Sequence, residues 1–180
     1  PKEGDALQRA QQSLEAIEKE LPRPNYLPHP GAEIKPAATP PKPAQRAYAE
    51  ARQLLRDGNA REAVGRLEAA LRLAPNSPPI LRMLGRIYSD TGNRVKGALY
   101  YARAVQNDPT DVRSVFGLGL SEFERNNFKD AITVLAFALR RAEQGADADT
   151  HLLVRHYLGM ALAREGYDAA DKLIGYIDRA

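Results

Sequence analysis

The sequence predicts an all-α fold: a solenoid of stacked antiparallel helix pairs, preceded by a lone amphipathic helix and a proline-rich linker. Three observations carry this reading: self-similarity at a spacing of 34 residues, helix-length segments separated by regular turn residues, and one narrow apolar stripe near the start. Leu84-Gly85 recurs as Leu118-Gly119, Ala63 as Gly97 and Ala131, Leu67 as Tyr101 and Leu135, Ala70 as Ala104 and Ala138, and Pro75 as Pro109. A period near 34 is that of a two-helix unit, which stacks on copies of itself to bury its apolar face.

Residues 1-21 form the first element. Leu7, Ala10, Leu14, Ile17 and Leu21 alternate at three and four residues, which draws one stripe along a helix, with Asp5 placed as its N-cap and Pro22 as its stop. Residues 22-43 hold eight of the thirteen prolines and have no apolar period. They read as a linker in extended conformation, reaching up to roughly 70 Å at about 3.1 Å per residue. The solenoid is read over 44-180, with repeats at about 44-77, 78-111 and 112-145 and a degenerate copy at 150-180. Its first pair is a helix from about Gln45 to Asp57, broken by Gly58-Asn59, and a partner from Ala60 to Leu73 before Pro75. Asn76-Ser77-Pro78-Pro79 then offers a capping residue and a proline at the first helical position, where the missing N–H costs nothing. The second pair covers Pro78 to Asp90 and Arg94 to Asn107, divided at Gly92-Asn93; the third covers Asp111 to Arg125 and Phe128 to Arg141, divided at Asn126-Asn127. Helices of this length are marginal alone in water, so packing between neighbours must hold them.

The last copy is irregular. Leu158-Gly159 lies 40 residues after Leu118-Gly119, which places an insertion at Gln144 to Asp149. Gly166 to Ala170 then resembles the start of a second helix, with Leu173, Ile174 and Ile177 facing the third repeat. An atypical unit is expected where a solenoid ends and its outer face meets water.

The recurring positions resemble the tetratricopeptide repeat, whose pattern joins a Leu-Gly pair, an aromatic, a small residue, a large one four further on, and a closing proline. Repeat two fits best, through Leu81, Leu84-Gly85, Tyr88, Gly97, Tyr101, Ala104 and Pro109. Repeat one keeps Ala47, Ala51, Leu54, Ala63, Leu67, Ala70 and Pro75 but has Glu50 where leucine is expected; repeat three puts Glu122 in place of the aromatic and Glu143 in place of the proline. The resemblance implies a right-handed α-solenoid of about 3.5 to 4 repeats. It further implies a protein-protein interaction scaffold, in which the first helices of successive pairs line a concave, peptide-binding groove. Transferred by position, that groove holds Tyr48, Arg52, Leu55 and Arg56 from repeat one and Arg82, Arg86 and Asp90 from repeat two. Arg113, Phe116, Leu120 and Phe123 follow from repeat three, and Leu153, His156, Met160 and Arg164 from the last pair. Arginines set among aromatics suit a partner segment with acidic and apolar side chains. The alternative is a solvated face in which Asp90, Glu124 and Glu50 offset the arginines. Members that grip a chaperone's terminal carboxylate use Lys and Asn at positions where this chain has Tyr48, Arg52, Met83, Arg113 and Gly117, so that role is not expected.

The stripe of residues 5-21 has three readings. It pairs with its copy in another chain as a short coiled coil, it docks in the groove or on an exposed end of the solenoid, or it is the remnant of a larger upstream region. The first two make self-association through this helix an alternative function, that of a structural or assembly protein.

Several classes of function lack support. No cysteine is present, which excludes disulfides, thiolate metal sites and cysteine nucleophiles. His29 falls in the linker, and His151 and His156, five residues apart, do not share a helix face as a metal pair would. No phosphate loop, nucleophile elbow or paired carboxylate is recognisable, so neither an enzyme nor a cofactor is expected. The net charge of +3 is small. Residues 44-180 hold twenty basic against seventeen acidic side chains, interspersed, which argues against a phosphate-tracking stripe and a nucleic-acid partner. Seventeen of those twenty are arginine, which suits interfaces and equally suits a high-GC, bacterial composition. No run approaches the roughly 18 consecutive apolar residues of a membrane span, so a soluble protein is expected, in an undecided compartment.

Overall fold

The turn inside each helix pair is the same backbone device used four times. Gly58, Gly92 and Gly166 take φ of 81°, 87° and 78°, and Asn126 takes 63° in the equivalent place. Glycine and asparagine enter this left-handed region at least cost and so end a helix there. In each case the next N–H reaches back five residues to a carbonyl: Asn59 to Leu54 at 2.8 Å, Asn93 to Tyr88 at 2.8 Å, Asn127 to Glu122 at 2.9 Å and Tyr167 to Leu162 at 3.0 Å.

The computed structural model describes residues 3–29, 32–34, 37–142 and 148–167. Among these are eight helices: α1 (Glu3–Glu20), α2 (Lys42–Arg56), α3 (Ala60–Leu73), α4 (Pro78–Asp90), α5 (Arg94–Asn107), α6 (Val112–Glu124), α7 (Phe128–Ala142) and α8 (Ala148–Arg164). Helices α2/α3, α4/α5 and α6/α7 pack as pairs, and α8 packs on α7 and α6. The reading of Leu173, Ile174 and Ile177 falls outside the described residues. Three local expectations are corrected. Asp5 lies in the first turn of α1 rather than at its cap. Helix α2 starts two residues inside the stretch read as linker, because Pro43 is tolerated in a first turn. Ala148 and Asp149, assigned to the inserted loop, open α8. Ser77 holds the N-cap position of α4 without a side-chain cap bond.

First helices approach one another directly at two junctions, α4 with α6 and α6 with α8, whereas α2 meets α4 mainly through α3. No comparable approach joins α5 and α7 among the described residues, so from α4 onward the stack is tighter on the first-helix side. Close approach depends on small residues. A Cβ on Gly85 would lie 3.0 Å from the ring of Tyr101, and one on Gly117 would overlap that ring from the other side. Tyr101 of α5 is thus wedged between α4 and α6. The interior falls into two clusters, one from α2, α3 and α4 and one from α1, α5, α6, α7 and α8. Glu122, which replaces the expected aromatic, is 4% exposed and accepts from Asn127 Nδ2 at 2.7 Å and Arg125 Nη1 at 3.1 Å. It serves the α6–α7 turn rather than a layer contact.

The amphipathic helix seats on the outer side. Leu14, Ile17, Leu21 and Leu27 are buried with α7 residues of the larger cluster, and Arg140 of α7 donates to both carboxylate oxygens of Glu18. Of the docking sites expected for this helix, neither the groove nor an exposed end is used. The seat of α1 is on α7, the second helix of the third pair. The residues after it form a strap rather than a free spacer: Arg23 lies 5.8 Å from the Phe137 ring centroid, and Leu27 is 3% exposed. No helix of the described residues is long and apolar enough to cross a membrane.

Burial has a consequence at alkaline pH. It pushes the phenol of Tyr101 from 10.0 up to about 12. Below pH 10 the phenol is neutral in both folded and unfolded chains, and its contribution to stability is intact. Between pH 10 and 12 the unfolded chain ionises first, so stability is lost as pH rises, by about 3 kcal/mol at most. Urea titrations at pH 8 and above pH 11 are expected to show this loss, and Tyr101→Phe to reduce it. An equal loss in the variant would refute the assignment.

Candidate functional site

The wall expected to carry the groove is formed by α4, α6 and α8, which approach one another in turn, with α2 set apart from α4. Helical spacing of three and four residues brings one face of each helix to this wall. Tyr48 and Leu55 of α2 are half-buried against the smaller core, while Arg52 is exposed. Arg56 turns back along its own helix to Gln53, with Nε donating to Oε1 at 3.1 Å. Arg82 is half-buried and donates to the carboxylate of Asp111, which also accepts from Ser114 Oγ at 2.6 Å. That bond ties α4 to the start of α6. Asp111 makes no side-chain cap bond to the helix it precedes. Arg86 is exposed and stands 3.5 Å from Asp90, one turn along. Arg113 is exposed. The acids proposed to offset the groove arginines divide differently: Asp90 pairs with Arg86, but Glu124 serves Arg94 at 3.0 Å and Glu50 serves Arg66 at 3.5 Å. Asp111 is the partner that sequence reasoning missed.

The other end of the wall is aromatic. Phe116 and Phe123 of α6 lie 5.9 and 5.5 Å, centroid to centroid, from Tyr157 of α8. Phe123 meets Phe128 edge-on at 5.4 Å, and the exposed His156 meets Tyr157 edge-on at 5.4 Å. Edge-to-face pairs at these separations add to area burial and fix ring orientation. Leu120 and Met160 are half-buried beside them, Leu153 is 44% exposed, and Arg164 stands 5.9 Å from the Phe128 ring. Tyr157 was absent from the expected groove, although it precedes Leu158-Gly159 as Gly117 precedes Leu118-Gly119. Projecting Gly117 onto the last copy would have found it.

The wall therefore has an arginine end whose charge is partly matched within the chain and an aromatic end edged by His156 and Arg164. Among the described residues no group of three or more His, Cys, Asp or Glu side chains is placed to hold a metal ion. His151 Nε2 is buried without a hydrogen-bond partner, and His156 is exposed, so the two histidines of α8 do not converge.

Residues 48–112 match the family model described as tetratricopeptide repeat. No curated protein matches the sequence. Among solved structures, the Sgt2 TPR domain from Aspergillus fumigatus is similar with a TM-score of 0.62 at 19% identity, over 81% of this chain and 89% of that one. A MamA structure from AMB-1 gives 0.65 at 14% identity over 96% of this chain and 90% of that one. A P. anserina kinesin light chain protein with nearly identical TPR-like repeats gives 0.61 at 18% identity, over 96% of this chain and 85% of that one. At these identities the likeness is one of fold.

Proposed function

We propose that this chain, whose fold is the tetratricopeptide-repeat solenoid, is a non-catalytic interaction scaffold whose inner wall binds a partner segment carrying apolar and acidic side chains. The observation that supports this most is the half-buried cluster of Phe116, Phe123 and Tyr157, which offers aromatic area on this wall beside exposed cations. Aromatic anchors of this kind dominate binding energy, while rim charges steer and orient. Because Arg82 is half-buried and committed to Asp111, the acid-binding part of the reading rests on the exposed Arg52 and on Arg86, whose pair with Asp90 is longer and exposed.

Anisotropy titrations with labelled peptides bearing aromatic and glutamate side chains read this out. Phe123→Ala is expected to weaken binding about tenfold or more, and Arg52→Glu with Arg86→Glu to weaken it less and mainly at low salt. Affinity that is equal across all variants removes the reading. A second reading, self-association, rests on the tether: α1 ends twenty-one residues before α2 begins, residues 21–41, long enough to reach the same seat on another copy. Scaffolding by the inner wall and exchange of α1 use opposite faces of the solenoid, so they are compatible.

A further inference from the structure

The outer wall holds a second concavity, away from the groove. Its volume is about 470 Å³, and its lining combines Asn25 and Tyr26 of the strap with Lys96, Leu99, Tyr100 and Arg103 of α5. The strap and the solenoid build it together, so it is complete only while α1 is seated. Leu99 is 62% exposed and contributes apolar surface to the lining. The rings beside it are held in place. Tyr100 stacks on Tyr88 at 5.5 Å with planes 4° apart, and the hydroxyl of Tyr26 is buried without a partner.

Two cations stand on this face, seven residues apart on α5 and so about 10 Å along its axis. Lys96 Nζ donates one of its three hydrogens to Tyr88 Oη at 2.7 Å. Arg103 donates from Nη2 to the Pro75 carbonyl at 3.1 Å, leaving other N–H groups of its fork. No acidic side chain lines the cavity; behind the lining, Tyr88 Oη donates to Glu68 Oε1 at 3.4 Å, and Glu122 and Asp130 act on the Tyr26 phenol. An apolar floor with cations at its edges and no anion has the complement of an amphipathic anion, and the volume is that of a small-ligand site.

We propose that this cavity binds an aromatic carboxylate, whose ring packs on Leu99, Tyr26 and Tyr100 while its carboxylate is held by Lys96 or Arg103. The chemistry is shared by a free arylalkanoate and by the C-terminus of a peptide ending in an aromatic residue. A ligand bound here contacts strap and solenoid together, and therefore also holds α1 in its seat.

The test titrates the full chain with 3-phenylpropionate and its amide, and with Gly-Gly-Phe bearing a free or an amidated terminus, following aromatic NMR shifts. The carboxylates are expected to bind about tenfold or more tightly than the amides, and Lys96→Gln with Arg103→Gln to abolish that preference. Tighter binding of 3-phenylpropionate identifies a free ligand, and tighter binding of the peptide identifies a chain terminus. Arg52→Glu with Arg86→Glu leaves the outer site unchanged, which separates it from the groove. Equal binding of acid and amide by the unmodified chain, no saturable binding at millimolar concentration, or a preference that survives loss of both cations overturns the proposal.

Discussion

Tyr101→Ala is expected to lower the unfolding free energy by about 3 to 5 kcal/mol, the cost of emptying a buried aromatic site. The ring is 8% exposed and occupies the space that Gly85 and Gly117 leave open on two different helices. Removing it takes away the only contact those glycines were small enough to admit, and alanine fills neither side. Native domains are stable by about 5 to 15 kcal/mol, so the loss is a large share of the total. Tyr101 also stands where the two core clusters meet, so the halves are expected to lose cooperativity, as repeat arrays do when an interface weakens. Urea denaturation followed by circular dichroism gives both the midpoint and the sharpness of the transition. Tyr101→Phe, which keeps the ring, should cost far less. A loss under about 1 kcal/mol for alanine would show that the wedge is not what joins the halves.

Ile17→Asp is expected to release α1 from the outer wall. Ile17 is 9% exposed between Leu14 and Leu21, and a carboxylate there would be buried without a partner, a penalty of about 3 kcal/mol or more. That shifts the docked-to-undocked ratio over a hundredfold. The freed helix, alone in water, loses most of its order. Limited proteolysis after the strap residue Arg23 should then accelerate at least about tenfold, because cleavage follows the open population. The solenoid itself should keep its helical signal. The same variant tests self-association: light scattering across a wide concentration range should show a fall in mass if α1 ties copies together, and constant mass if it serves its own chain. Unchanged cleavage would show that the seat does not depend on this stripe.

The repeated architecture was legible because the same residues recur at places where only a few side chains work. Gly58, Gly92 and Asn126 mark their turns through a backbone angle that other residues adopt reluctantly, and the limits of α3, α4 and α5 follow directly from such marks. What was hidden involves partners distant in sequence. The stripe through Leu14, Ile17 and Leu21 announces that one face will be covered, but nothing local says that α7 covers it. Leu27 looked like an incidental residue in a proline-rich stretch until the strap folded back. Arg82 and Asp111 are 29 residues apart, and an aspartate before a helix reads as a cap, so its diversion to a guanidinium left no local trace. Tyr157 was concealed differently, since the last copy is displaced by an insertion and its position was compared with no other repeat.

Glu18 meets Arg140 across 122 residues of chain, whereas solenoid pairs meet within one or two repeats. During synthesis at about 5 to 20 residues per second, the first helix leaves the ribosome roughly 6 to 24 s before its seat exists. Throughout that interval its apolar stripe is uncovered, available to chaperones or to a finished neighbour on the same messenger. Helix α1 is therefore covered only after most of the solenoid has been made.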